Sequence, residues 1–167
     1  RYELVDGVVI AHAAPSPDHG AILASLGAAL VTRLRGNTSG CRAESASGAV
    51  PRQQQRNTAR IPDAMIRCGD NPRVVFEVVS PSEMRHWRAR DRKRLDLQAV
   101  DGVQEIVEIY QDEYACHIYR LAADGSWDVE AIGGEDAVLH LRSVGIELPL
   151  AEIYEFIHPG QAAETDM

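Results

Sequence analysis

The chain has 167 residues, 25 of them acidic and 17 basic, for a formal net charge of −8 and 45% hydrophobic content. That length and mix describe one globular domain with room for a core, and the acidic balance excludes non-specific wrapping of nucleic acid by overall charge. No apolar run reaches the roughly 18 residues a spanning helix needs, which excludes helical membrane insertion. Starting at Arg1 with no initiator Met and no signal-like segment, the chain reads as a trimmed fragment.

In chain order, two β-rich runs flank Asp6-Gly7 in YELVDGVVIAHA, a strong short hairpin signal. After Pro15-Ser16-Pro17, apolar residues at 22, 23, 26, 30 and 34 predict an amphipathic helix over 18–35 that ends near Gly36. Residues 41–50 read as a strand and 51–60 (PRQQQRNTAR) as a polar mobile loop. Strands at 64–68 and 74–79 are joined by the turn Gly69-Asp70-Asn71-Pro72. VVFEVV is apolar on both faces, as in a central strand. Ser80-Pro81-Ser82-Glu83 is a capping box opening a helix to about residue 100. A second hairpin spans 104–110 and 115–121, followed by strands at 127–132 and 146–150 and a short helix over 150–157. The expected fold is α/β with one mixed central sheet flanked by helices, a single domain over 1–158, and a disordered polar tail at 159–167.

Cys41, Cys68 and Cys116 are odd in number and far apart, which suits a reducing, cytoplasmic setting better than a disulfide framework. No zinc-type spacing is present. Sixteen of the basic residues are Arg, and the single Lys is Lys93. Composition alone does not separate chance survival of that Lys from a role Arg cannot fill. The segment 85–94 (RHWRARDRKR) holds six basic residues and one acid. Such a run is a solvated helix face or a phosphate-touching patch. Trp87 and Trp127 read as packing residues rather than base-stacking platforms.

Glu77 is the anomaly, a carboxylate among apolar neighbours on a buried strand, costly unless paired or metal-bound. If the strands at 64–68 and 74–79 are antiparallel neighbours, Asp63 falls opposite Val78, about one residue from Glu77. Two carboxylates there would suit Mg²⁺ or Mn²⁺. The bland alternative pairs Glu77 with a core Arg, such as Arg60 or Arg67, and spacing leaves both open.

Seven segments, YELVDG (2–7), SPDHGAI (16–22), IPDAMIRCG (61–69), VVFEVVSPSE (74–83), DRKR (91–94), VQEIVEI (103–109) and IELPLAEIYE (146–155), in this order and spacing resemble the bacterial Uma-two family of restriction-endonuclease-like proteins, a branch of the PD-(D/E)xK nucleases. The resemblance implies a restriction-endonuclease-like core with an N-terminal β-hairpin, and Mg²⁺-dependent (or Mn²⁺-dependent) hydrolysis of phosphodiester bonds, in DNA rather than RNA. It makes Asp63, Glu77 and Lys93 catalytic, with Asp63, Glu77 and the Val78 carbonyl as metal ligands. The superfamily places its Lys two residues after the Glu. Here that position is Val79, and the resemblance shifts the role to Lys93 on the following helix, with Arg94 as fallback.

Arg85, Arg88 and Arg92 would grip flanking phosphates, and Arg52, Arg56 and Arg60 in the loop at 51–60 would offset the acidic balance locally. His19 opens the first helix and matches a recurrent family His, reading as a structural helix-start residue or as a neighbour of the metal, and Glu44, in a segment that reads as solvent-facing, is a further candidate acidic ligand. Glu3 reads as a partner within the hairpin. Two rival readings stand beside the nuclease. One is a catalytically silent binding or assembly module of the same fold, in which a homodimer is expected. The other is a carboxylate enzyme such as a glycosidase, against which the 5% aromatic content counts.

Overall fold

The computed structural model describes residues 2–36, 40–49 and 57–160. Among them a six-stranded sheet runs in the order β3 (Cys41–Ser45), β4 (Ala64–Cys68), β5 (Asn71–Val79), β6 (Glu105–Tyr110), β7 (Ala115–Leu121), β8 (Trp127–Gly133). Neighbours pair antiparallel except β5 and β6, which are parallel. That parallel pair needs a crossover. It is supplied by α2 (Pro81–Arg85) and α3 (Trp87–Gln98).

The two central strands are covered on both faces, which explains their unbroken apolar runs. On one face α1 (Pro17–Leu34) buries Ile22, Leu26, Leu30 and Leu34 against Ile66, Val74, Phe76, Val78, Val107 and Ile109. Each such side chain contributes roughly 1.5–3 kcal/mol of transfer free energy, and Leu26→Ala would cost about 2–5 kcal/mol. On the other face Leu97 and Val100 pack on Met65, Val75, Val103 and Ile106. Even and odd residues of β5 therefore serve different cores, and Glu77, in step with Val75, belongs to the α3 side.

A hairpin of β1 (Tyr2–Val5) and β2 (Val8–Ala11) turns at Asp6 and Gly7, both at positive φ (49° and 81°), as a two-residue primed turn demands. It is anchored through Leu4 and Ala59, whose amides and carbonyls exchange bonds of 3.0 and 2.8 Å. A second small sheet, β9 (Val138–Leu141) with β10 (Ile146–Pro149), leads into α4 (Leu150–Ile153).

The expected elements need four corrections. The helix after Ser80 breaks at His86, whose φ of −104° and ψ of 41° are not helical, although the capping box is formed. The strand expected at 41–50 stops at Ser45, where Ala46 takes a positive φ of 51°. β9 was not foreseen, and β10 pairs with it instead of with the main sheet. Cys41 and Cys68, directly opposite on β3 and β4, form a disulfide, against the expectation of reduced cysteines, while Cys116 is free and buried. No helix is long and apolar enough to cross a membrane among the described residues. Most of the tail expected to be disordered, residues 161–167, lies outside the described residues.

Candidate active site

Near their turn, β4 and β5 pair Cys68 with Asn71 and Arg67 with Pro72. Held to that register, Asp63 would come opposite Phe76, and Glu77 would sit on the other face, because cross-strand partners share a face and neighbours alternate. An irregularity between Ile66 and Arg67 lets β5 gain one residue, so that Ile66 meets Val74, Met65 meets Val75 and Ala64 meets Phe76. Continued one step past the end of β4, that register would set Asp63 opposite Glu77 rather than opposite Val78, the partner expected from the turn alone. Asp63 Oδ2 accepts the Val78 N–H at 2.9 Å and lies 3.5 Å from His19 Nε2 on the first turn of α1. The N–H and C=O of a strand residue face the same neighbour, so the Val78 carbonyl is directed to the Asp63 side as well.

Lys93 reaches this point from α3. Its Nζ lies 2.8 Å from Glu77 Oε1, 3.1 Å from Glu3 Oε1 and 3.4 Å from the Ile61 carbonyl, to which it donates. Glu3, on β1, is 2% exposed. Its Oε1 also accepts the Ile61 N–H at 2.9 Å, and its Oε2 contacts Arg60 Nη1 at 3.0 Å and His12 Nε2 at 3.1 Å. Arg60 in turn donates twice to Asp96 on α3, at 2.9 and 2.7 Å.

Burial opposes charge on Lys93, but the carboxylates of Glu77 and Glu3, with Asp63 behind them, outweigh it and push the amine above the ordinary lysine value. Burial likewise opposes charge on Glu3, yet Lys93, the Ile61 N–H and Arg60 hold its carboxyl down at about 2. Lys93 is therefore an ammonium at neutral pH. A cleft of about 780 Å³, lined by His12, Ser16, His19, Asp63, Ser80 and Glu83 among others, opens beside Asp63. A separate, smaller cavity of about 180 Å³ is lined by Glu3, Glu77, Lys93, Arg90, Arg94 and Glu108 among others.

A protein-family model for Uma2, described as "Putative restriction endonuclease", matches residues 1–151. The chain belongs to the Uma2 family. Nuclease activity is the function that membership supports. A crystal structure from Anabaena variabilis ATCC 29413, described as a "putative nuclease belonging to DUF820", is similar in fold, with a TM-score of 0.70 and 16% identity over 92% of this chain and 89% of that one. No curated protein matches the chain.

Of the residues that the Uma2 resemblance singled out, Lys93 pairs with Glu77 and Asp63 accepts the N–H of the next residue, Val78, with His19 beside Asp63. Arg94 lines the same small cavity as Lys93 but is paired with other groups. Its guanidinium pairs with Glu108 at 3.1 Å and Asp91 at 2.8 Å and lies 4.5 Å from the centre of the Tyr119 ring. Glu44 stands apart, held by Arg67 at 3.0 Å and Arg42 at 2.8 Å. Arg92 is engaged by Asp6 at 2.9 Å and Asp96 at 3.2 Å, two carboxylates that already balance its charge. Arg85 and Arg88 are exposed, Arg88 lying over Trp87 at 5.3 Å. Arg60, expected in a mobile basic loop, is buried in the ion pairs above, while Arg52 and Arg56 lie outside the described residues.

Two contributors escaped the sequence reading. Glu3 was placed inside the hairpin, and its contact with Lys93 spans ninety positions with no local mark. Arg60, read both as a possible core partner of Glu77 and as part of a basic loop, pairs instead with Glu3 and Asp96. Glu108, level with Glu77 on the adjacent strand, is buried between Arg90 and Arg94. The apolar run around Glu108 raises the same signal that singled out Glu77.

Proposed function

We propose that this chain is a divalent-metal-dependent nuclease that hydrolyses phosphodiester bonds, in DNA rather than RNA, with Asp63, Glu77 and Lys93 as its catalytic residues. The observation that carries the reading is the pairing of Glu77 with Lys93, 2.8 Å apart, next along β5 to Val78, whose N–H Asp63 accepts. The donor chemistry fits a hard cation. Among the described residues no three His, Cys, Asp or Glu side chains gather to hold a metal by themselves. The set is instead two carboxylates, Asp63 and Glu77, with the Val78 carbonyl, which suits Mg²⁺ or Mn²⁺ because these ions keep several waters. Bound there, the ion would supply Lewis-acid polarisation of the phosphate and a water of lowered pKa.

The chain's own groups account for the rest. Lys93, charged and held, offsets the negative charge that builds on the phosphorus centre. Its raised pKa makes it a poor base, so its role is electrostatic. Asp63 is oriented by the Val78 N–H and His19. Arg85 and Arg88 remain available on the surface for flanking phosphates, as sequence-independent contacts.

A silent binding or assembly module is the second reading, with a second copy of the chain as its partner. It is favoured by the completeness of the Glu3–Lys93–Glu77 pairing, which leaves the site electrostatically satisfied without a metal. Incubating the protein with duplex DNA, single-stranded DNA and RNA, in Mn²⁺ or in EDTA, separates the two. Cleavage in Mn²⁺ alone supports the nuclease, and intact substrates under all conditions support the silent module.

A further inference from the structure

Lys93 has three N–H donors, and it meets three acceptors, Glu77, Glu3 and the Ile61 carbonyl. The Glu77 carboxylate has a competing task in the reading above, as a metal ligand. When it turns to a cation, the ammonium loses its nearest partner, and an unrestrained lysine of four rotatable methylenes would sample other positions.

Glu3 is built to prevent that. It is buried, and neither of its oxygens is at liberty to move. Oε1 is shared between Lys93 and the Ile61 N–H, and Oε2 between Arg60 and His12. Arg60 carries the restraint on to Asp96, three residues along α3 from Lys93 and so on the same side of the helix. The hairpin is thereby tied to α3 at two points, one of them the ammonium itself. A purely structural ion pair would be complete with Arg60 alone. The Leu4–Ala59 bonds hold the hairpin independently of this pair, and the contact of Oε1 with Lys93 ties Glu3 to the ammonium as well.

We propose that Glu3 is a positioning residue for the reaction, holding the Lys93 ammonium in place while Glu77 serves a metal ion. The inference rests on the nuclease reading, and its test is chosen to stand apart from it. Because Lys93 is the single lysine, protein labelled with ¹⁵Nζ-lysine yields one ammonium resonance, readable without any activity. In the wild type the resonance is expected to persist at neutral pH through slowed proton exchange, and Glu3→Gln, which keeps the shape and removes the charge, is expected to shift and broaden it.

In cleavage assays Glu3→Gln is expected to lower kcat about 10- to 100-fold, with KM and Mn²⁺ affinity unchanged, and Glu3→Asp to recover part of the loss. Wild-type Nζ protons that exchange as fast as those of free lysine would overturn the proposal, even if Glu3→Gln does not fold. So would a Glu3→Gln protein with an unaltered resonance, or one whose loss lies in KM. A wild type inert on every nucleic acid overturns the nuclease reading instead, and leaves the resonance to decide whether Glu3 holds the amine.

Discussion

The Glu77 carboxylate and the Lys93 ammonium touch at 2.8 Å, although one projects from a central strand and the other from the helix that crosses it. The lysine thus occupies the electrostatic place that a cation at Glu77 would share. At a separation of about 6 Å and an effective dielectric of about 20, an ammonium and a divalent ion repel by roughly 5–6 kcal/mol.

Removing the amine therefore has opposite effects on binding and on turnover. Lys93→Ala is expected to tighten Mn²⁺ binding by about tenfold or more while abolishing cleavage. Without metal it leaves two buried carboxylates short of a partner, and the loss of stability should be about 3–5 kcal/mol. Calorimetric titration with Mn²⁺, beside thermal melts with and without the ion, checks all three effects. Weaker Mn²⁺ binding by the variant would count against the shared site.

The pH dependence follows from the directions of the shifts. Glu3 titrates at about 2 in the fold against 4.5 unperturbed, so its stabilisation is present above about pH 4.5 and is lost as the pH falls toward 2. By linkage this amounts to about 3 kcal/mol. Lys93 is shifted upward, so its contribution is complete below the ordinary lysine value and disappears only as the pH rises through the higher folded value. Denaturant midpoints between pH 2 and 10 should show an acid loss that Glu3→Gln flattens, and no loss near neutrality from the amine.

The basic helix divides into two kinds of arginine. Arg85→Glu and Arg88→Glu are expected to weaken nucleic-acid binding uniformly across sequences and to reduce the salt slope by about one per contact removed. Arg92→Ala should leave that slope unchanged and cost up to about 1 kcal/mol of stability through Asp6 and Asp96. Binding isotherms at several salt concentrations, with melting curves, distinguish the two. A salt slope that moves with Arg92 would return it to the phosphate-gripping role.

The disulfide closes a loop of 27 residues, for which chain entropy gives about 3–4 kcal/mol. Reduction, or Cys41→Ser with Cys68→Ser, is expected to lower the melting temperature by roughly 10 °C and to leave Mn²⁺ affinity unchanged, since the bond lies at the far end of β4 from Asp63. Equal melting temperatures with and without reductant would show that the bond contributes nothing.

Local patterns carried most of the fold. The Asp6-Gly7 turn, the spacing of Ile22, Leu26 and Leu30, the capping box at Ser80 and the apolar run around Glu77 each announce an element through a few adjacent residues. In the site, Glu77 was conspicuous because burial of a carboxylate is costly, and Lys93 because it is single, while its role came from the family resemblance. What stayed hidden depends on pairing across distance. The register shift at Ile66–Arg67 has no Gly to mark it, and nothing local in the sequence links Glu3 and Arg60 to each other or to α3. The pairing of Cys41 with Cys68 requires knowing that β3 lies beside β4.

The account stands on Asp63 and Glu77 serving one ion together. Electron paramagnetic resonance of Mn²⁺ titrated into the wild type, Asp63→Asn and Glu77→Gln measures this most directly. A single bound ion in the wild type, with affinity reduced at least tenfold in each variant, is the predicted result. Identical titrations for all three proteins, or no bound ion in the wild type, would contradict it.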